Sequence, residues 1–371
     1  MDRKDLGNKS LIKNLSITNS KVFEAVKIII SILIALAITF VILLFVSDNP
    51  VNAFRTILTG ALTKKRYMGI VFEQMITYTF AGLACGLLFK AGFFNLGAEG
   101  IYVLTGVVCS AVACNAITTN TILHPAIAIV ASALVGGLLM LIPAVLKAKF
   151  EANELVISLM LNSIYTALSV HVVRNYLLSQ TTSTIGTPGF LPTASLLKKY
   201  IIKDYHIGPM FILMIVVVLL MHVMLKKTKL GYQIRVAGTN PSFADYSGIN
   251  AFKLALITNF IAGALAGMGS AIHILTQMSF YQPSISVVGI GFTGCLLAML
   301  GRNNPIGIMF ATFFIRYLEE GASVLYFNDN SVPSEIIAIV EGIVVLLVSS
   351  QYFLRRYREK KLLKEGLEKN D

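Results

Sequence analysis

The sequence predicts an all-α integral membrane protein of about ten transmembrane helices, built as two pseudo-repeated halves with both termini inside. Hydrophobic residues make up 56% of the 371-residue chain and charged residues only 13%, whereas soluble domains are about one quarter charged. The apolar residues are gathered into long runs, and each crossing of a bilayer takes about 20 of them. Because lipid offers the backbone no hydrogen-bond partners, such runs fold as helices.

The apolar runs divide into ten predicted spans. A polar N-terminal tail, residues 1–24, precedes them, and a basic tail, residues 355–371, follows. Everything between the tails, residues 25–354, is predicted to form one transmembrane domain. The predicted boundaries are 25–46, 68–89, 92–114, 124–146, 155–173, 207–225, 252–275, 285–301, 305–325 and 334–354.

The distribution of Lys and Arg predicts the orientation, because cytoplasmic connections are rich in these residues. With the N-terminus inside, the basic connection 226–250 and the basic C-terminal tail lie inside, and the long stretch 174–206 lies outside. The basic residues at 55–66 are the exception, since this pattern puts them in an outer loop, 47–67. The net charge of +12 is explained without nucleic-acid binding, because no basic face with interleaved aromatic residues is present.

Neither a metal site nor a catalytic site is predicted. The four cysteines lie in apolar stretches without a CxxC pair, and the five histidines share no metal-ligand spacing. The sequence contains no phosphate-binding GxxxxGK[ST] loop, HExxH or GxSxG motif. We therefore expect no enzymatic activity and no cofactor in this chain.

A glycine-rich segment opens the third span. An ionisable group at membrane depth costs at least about 2.5 kcal/mol on insertion scales, so Glu99 needs a partner or a cavity. The glycines around Asn95 and Glu99 allow the helix to break and free its backbone groups for water or a ligand. One interpretation places both residues beside a path for a solute. In the alternative, Glu99 caps the third helix and pairs with a neighbouring span.

A second glycine-rich segment, Gly289–Gly294, occupies the eighth span and is the counterpart in the second half. Its aromatic residue, Phe292, is a candidate to line the solute path, although tight helix packing explains the glycines equally well. Phe93 and Phe94 would offer stacking or gating surfaces. Two asparagines inside spans five and seven would bind a solute or join helices. The predicted lining residues are Phe93, Phe94, Asn95, Glu99, Asn162, Asn259 and Phe292.

A short helix is predicted within the inner connection 226–250. Asn240 is a suitable N-cap, and Pro241 suits the first helical position, where a missing N–H needs no partner. Gly248 suits the C-terminal cap. A capped helix of about two turns is a shape that another protein can grip, and the alternative is an ordinary cytoplasmic connector.

Four segments resemble the permease subunits of bacterial ABC importers, in the branch that carries nucleosides and simple sugars. AGTNPSFADYSGIN (237–250) is similar to the coupling-helix loop of these permeases. Three further segments are similar to recurrent patterns of the family and follow in its order. They are FKAGFFNLGAEG (89–100), ELVISLMLNSI (154–164) and GFTGCLLAMLGRNNPIG (291–307).

The resemblance implies a permease of the bacterial cytoplasmic membrane that forms the path for nucleosides, with a simple sugar such as ribose as the alternative substrate. It implies a separate ATPase subunit that uses ATP, a second related permease in a heterodimer, and an extracellular substrate-binding lipoprotein. The implied ATPase-coupling residues are Arg235, Gly238, Asn240, Pro241, Asp245, Tyr246, Ser247 and Gly248. An ion-coupled secondary transporter would instead use Glu99, Arg316 and Glu341, and would need no coupling helix.

Overall fold

The structure is a computed structural model that describes residues 33–34, 36–47, 49–179, 185–197, 200–202, 205, 207–283, 289–328 and 342. Within these residues the regular secondary structure is helical, apart from one isolated antiparallel bridge between Ile202 and Ile207. The helices are α1 (Leu36–Val46), α2 (Pro50–Thr63), α3 (Lys65–Lys90), α4 (Ala98–Cys114), α5 (Leu123–Phe150), α6 (Glu154–Tyr176), α7 (Pro209–Lys227), α8 (Lys229–Thr239), α9 (Pro241–Tyr246), α10 (Ala251–Gln277), α11 (Ile290–Leu300) and α12 (Pro305–Asn328).

Five of these helices, α3, α5, α6, α7 and α10, are long and apolar enough to cross a membrane, and α1, α4 and α11 are shorter apolar helices. The chain is therefore an all-helical membrane protein in its described part. Each predicted span from the second to the ninth contains one of the helices. The tenth predicted span, with Glu341, lies outside the described residues except for residue 342.

Glycines bring the helices of the larger unit, Leu62–Tyr317, into close contact. Helices α5 and α10 form its most extensive pairing. A Cβ atom added to Gly263 would lie 2.5 Å from the Cβ of Met140, and one added to Gly136 would lie 3.2 Å from the Cα of Gly267. Small residues allow helix backbones to approach closely in a bilayer. These glycines thus form the contact faces of α5 and α10.

The smaller unit contains residues up to Ala61 together with those from Leu318 onward. A helix that the sequence analysis does not predict, α2, occupies most of the predicted outer loop 47–67. One side of α2 is apolar and buried, and the basic Arg55 is exposed on the other side. The buried positions recur at helical spacing; they are Ala53, Ile57, Gly60 and Ala61. This stripe is too narrow to appear as an apolar run in the sequence.

The inner connection 226–250 also contains more helix than the sequence predicts. Thr228 caps the N-terminus of α8, and its Oγ1 accepts the Gly231 N–H at 3.1 Å. Arg235 and Gly238, predicted to lie in a polar loop, therefore lie on α8. The helix buries only two residues, so its apolar period is too short to recognise in the sequence.

The short helix predicted in this connection is present as α9. The Oδ1 atom of Asn240 accepts the Phe243 N–H at 3.0 Å, and Pro241 occupies the first position. Gly248 has a φ of 75°, a conformation that glycine adopts without strain. The N–H groups of Gly248 and of the following residue donate to carbonyls of the last helical turn, both at 3.0 Å. This pattern is a Schellman cap, so both ends of α9 are fixed.

Candidate functional site

The chain leaves the helical conformation between α3 and α4, over residues 91–97. Gly92 has a φ of 83°, and a Cβ atom added to it would lie 3.3 Å from the Cα of Gly238 on α8. A Cβ added to Gly238 would lie 2.9 Å from the carbonyl carbon of Lys90. A side chain at either glycine would push α8 away from this turn. The helix break therefore begins where α8 of the inner connection contacts the backbone at the end of α3.

Side chains of α6 bind the backbone that this break frees. The Leu96 N–H donates to the Oγ of Ser158 at 3.2 Å. The Nδ2 of Asn162 donates to the Leu96 carbonyl at 3.0 Å, and its Oδ1 accepts the Gly100 N–H at 2.9 Å. Both ends of the Asn162 amide are thus used to hold the break against α6. This is the bonding between helices that the sequence analysis gives as the alternative to solute binding.

Asn95 and Asn259 meet inside the protein. Both side chains are fully buried. The Oδ1 of Asn95 accepts the Gly97 N–H at 2.7 Å, and its Nδ2 faces the Oδ1 of Asn259 at 3.5 Å. The Nδ2 of Asn259 donates to the Ala255 carbonyl at 2.9 Å. This weak amide contact joins the helix break to α10, and the predicted role of the pair along a solute path stays a prediction.

Glu99 joins the two glycine-rich segments that the sequence analysis identifies in the two halves. Its side chain is 3% exposed. One carboxylate oxygen accepts the Gly289 N–H at 2.7 Å and the other accepts the Gly291 N–H at 2.5 Å. These N–H groups lie at the N-terminus of α11, where the helix dipole favours negative charge. The structure therefore gives Glu99 the partner in a neighbouring span that membrane burial requires.

The three predicted phenylalanines have different surroundings. The ring of Phe93 is partly buried, and the Lys147 Nζ lies 4.5 Å from its centroid. Phe94 is 53% exposed and stacks on Phe89 with the ring centroids 5.2 Å apart. Phe292 is 58% exposed on α11. The exposed faces of Phe94 and Phe292 are available to a solute, to lipid or to another chain.

The structure brings Arg316 together with three polar and aromatic residues that the sequence analysis does not name, in a cluster inside the predicted spans. The hydroxyl of Tyr102 contacts the Nδ1 of His273. The Arg316 guanidinium lies 3.7 Å from the centroid of the Tyr78 ring, and Tyr78 packs against the group of buried residues that contains Tyr102. The four residues come from α3, α4, α10 and α12 and share no spacing in the sequence. Their only common signal is polarity inside an apolar run.

The segment 185–197, part of the predicted outer stretch, is hydrogen-bonded to the chain that follows α10. The Thr187 N–H donates to the Tyr281 carbonyl at 2.8 Å, and the Tyr281 N–H donates to the Thr187 hydroxyl at 2.9 Å. The Tyr281 hydroxyl donates to the Val103 carbonyl at 2.8 Å. Burial raises the pKa of Tyr281, so its hydroxyl remains a neutral donor. These bonds join the segment to α4 through the chain that follows α10.

Helix α9 presents aromatic side chains to its surroundings. Phe243 is 53% exposed and Tyr246 is 93% exposed. Asp245 is also exposed, and Ala244 is the one buried residue of the helix. A rigid helix with uncovered aromatic rings has the composition of a protein interaction site. In the described part of the chain, no group of three or more His, Cys, Asp or Glu side chains could hold a metal.

Residues 67–349 match the protein family described as branched-chain amino acid transport system / permease component. The chain belongs to this permease family. Membership confirms the resemblance that the four sequence segments indicate. All the contacts of the helix break and of α9 lie within the matched residues.

The names of several proteins similar to this family member include a nucleoside or a sugar. The guanosine ABC transporter permease protein NupP of Bacillus subtilis is 29% identical over 91% of this chain and 96% of that protein. The nucleoside ABC transporter permease protein NupB of Lactococcus lactis is 26% identical over 91% and 93%. The glucose ABC transporter permease protein TsgB13 of Haloferax volcanii is 28% identical over 89% and 88%. No solved structure matches the chain significantly.

Proposed function

We propose that this chain is the membrane-spanning permease subunit of an ABC importer and forms the path by which nucleosides cross the bacterial cytoplasmic membrane. Family membership supports the permease role, and the observation that carries the coupling role is α9, a helix capped at both ends with uncovered aromatic rings. The names of two relatives, the guanosine and nucleoside permeases, favour nucleosides. The glucose permease among the relatives keeps a simple sugar as the second candidate.

The proposal includes the architecture and partners that the family resemblance implies. About ten spans in two pseudo-repeated halves form the domain 25–354, between the cytoplasmic tails 1–24 and 355–371. A separate ATPase subunit binds α9 and uses ATP. A second, related permease completes the path, and a substrate-binding lipoprotein docks outside over the stretch 174–206.

The contacts around α8 support a route from the ATPase to the helix break. Because α9 is capped at both ends, a force on Tyr246 moves the helix as one body. Gly238 of α8 rests on the Lys90 carbonyl, two residues before Gly92. Movement of α9 would thus reach the turn that leads into Asn95 without crossing a flexible loop.

The polar and aromatic cluster at membrane depth suits a nucleoside. A nucleobase stacks on aromatic rings and ribose hydroxyls bind polar side chains, and the cluster contains both kinds of group. The sugar candidate uses only the second kind of contact. We therefore propose this cluster as part of the path, together with the predicted lining residues.

Transport by the reconstituted complex tests the function. The complex is placed in proteoliposomes with ATP at the ATPase side and the binding lipoprotein at the other, and labelled guanosine, uridine, ribose and glucose are offered. We expect ATP-dependent accumulation of a nucleoside. Accumulation of a sugar alone would favour the second candidate, and accumulation by the permease without its ATPase would contradict the importer mechanism.

The coupling role has its own test. The double variant Asp245→Arg with Gly248→Pro disrupts the surface and C-terminal cap of α9, and we expect ATP hydrolysis without uptake. Lys253→Gln is the matched control, because Lys253 is exposed at the start of α10 and outside α9. Unchanged transport by the double variant would refute the coupling role.

A further inference from the structure

Three basic side chains converge where α3, α7 and α8 meet. Lys90 is the last residue of α3, Lys226 lies in the last turn of α7, and Arg235 lies on α8. All three helices pack against one another. Both Lys226 and Arg235 are close enough to act electrostatically on Lys90. We call these three residues the basic cluster.

No carboxylate forms an ion pair with the basic cluster in the part of the chain that the structure describes. The Nη1 of Arg235 is buried without a hydrogen-bond acceptor among the described residues. Lys90 is half-buried and Lys226 is exposed at the edge. Leaving a buried donor unpaired is unfavourable, and more so for a charged group. An anion with several acceptor oxygens would satisfy the guanidinium and balance the two ammonium groups.

We propose that the basic cluster binds the phosphate group of an anionic phospholipid from the inner leaflet. Basic pockets between membrane helices on the cytoplasmic side bind lipid headgroups, and Arg matches phosphate geometry with two parallel hydrogen bonds. The cluster lies at the ends of α3 and α7, at the predicted cytoplasmic surface. This inference goes beyond the proposed function and does not depend on the transported solute.

A bound headgroup would stabilise the route between α9 and the helix break. Gly238 follows Arg235 by one helical turn and contacts the Lys90 main chain. A phosphate between Arg235 and Lys90 therefore joins α8 to the end of α3 at this contact. The lipid would hold together the two segments that coupling must move as one.

Lipid binding to the purified assembled transporter tests the proposal. Native mass spectrometry measures the dissociation constants of phosphatidylglycerol and phosphatidylcholine for the wild type, Arg235→Gln, Lys90→Gln and Lys227→Gln. Lys227 is the matched control, because it is exposed in the same turn of α7 as Lys226. We expect selective binding of phosphatidylglycerol, weakened about fivefold by either cluster variant and unchanged by the control, since each basic residue contributes about 1 kcal/mol.

Competition identifies the source of the phosphate. Inorganic phosphate that displaces the lipid only at high concentration supports the lipid site, whereas preferential binding of inorganic phosphate assigns the cluster to a free anion. Equal weakening by Arg235→Gln and Lys227→Gln would overturn the site, because it indicates diffuse surface attraction. The proposal would also be overturned if the cluster variants lost the ATPase subunit while their lipid affinity stayed unchanged. That result would indicate that the cluster binds a carboxylate of the ATPase subunit. If Arg235→Gln fails to assemble, Lys90→Gln decides.

Discussion

Removal of the Glu99 carboxylate should release α11 from α4. Glu99→Ala deprives two N–H groups, the partly buried one of Gly289 and the buried one of Gly291, of acceptors at 2.7 and 2.5 Å. Hydrogen bonds to charged groups contribute about 1.5–3 kcal/mol each, so the variant should lose about 3–6 kcal/mol of stability. Glu99→Gln retains one acceptor oxygen but turns an NH₂ donor toward the other N–H. We expect it to lose about half as much.

Thermal unfolding of the purified protein in detergent measures this difference. The midpoint should fall on the order of 10 °C for Glu99→Ala and about half as far for Glu99→Gln. Glu73→Gln is the matched control, because its half-buried carboxylate lines a cavity between α3 and α7 and caps no helix. Equal midpoints for Glu99→Ala and Glu73→Gln would refute the conclusion that Glu99 holds α11 in place.

Three other changes test the remaining contacts. Gly248→Ala should cost about 1–2 kcal/mol of α9 stability and lower ATP-driven uptake, while Gly248→Asn retains uptake. A Cβ atom at this position has no neighbour within 4 Å, so the loss would come from the backbone conformation. Equal loss in both variants would contradict this cause. Gly263→Ala should reduce the yield of folded protein by separating α5 from α10, whereas Gly189→Ala, whose nearest contact would be 4.0 Å away, should not. Asn95→Ala should slow uptake in an intact complex, and normal uptake kinetics would remove Asn95 from the path.

Local features of the fold are predictable from the sequence because their causes lie within a few residues. The caps of α9 need only Asn240, Pro241 and Gly248 at the right spacing, and each does what its chemistry indicates. The break before α4 likewise follows from Gly92 and its neighbours. The eight long apolar runs that the structure describes in full or large part all contain helices, since lipid leaves them no other conformation.

Two helices escape prediction for one physical reason. Helices α2 and α8 bury only a narrow stripe and carry basic side chains, so neither has the apolar length of a span. Basic residues such as Arg55 in α2 and Arg235 in α8 give these segments the composition of cytoplasmic or surface loops. Tertiary contacts, such as Gly238 against Lys90, stabilise the helix where composition does not.

The amino-acid sequence by itself determined that this protein is a bundle of membrane helices with a break at Gly92 and a capped helix at 241–246, because burial of apolar runs and local capping act over short distances. Only the tertiary structure decided which polar groups meet. Glu99 and Gly289 are 190 positions apart, and Asn95 and Asn259 are 164 apart. In lipid a polar group that its own helix does not satisfy needs a partner on another helix, and which helix supplies it depends on the packing of the whole bundle.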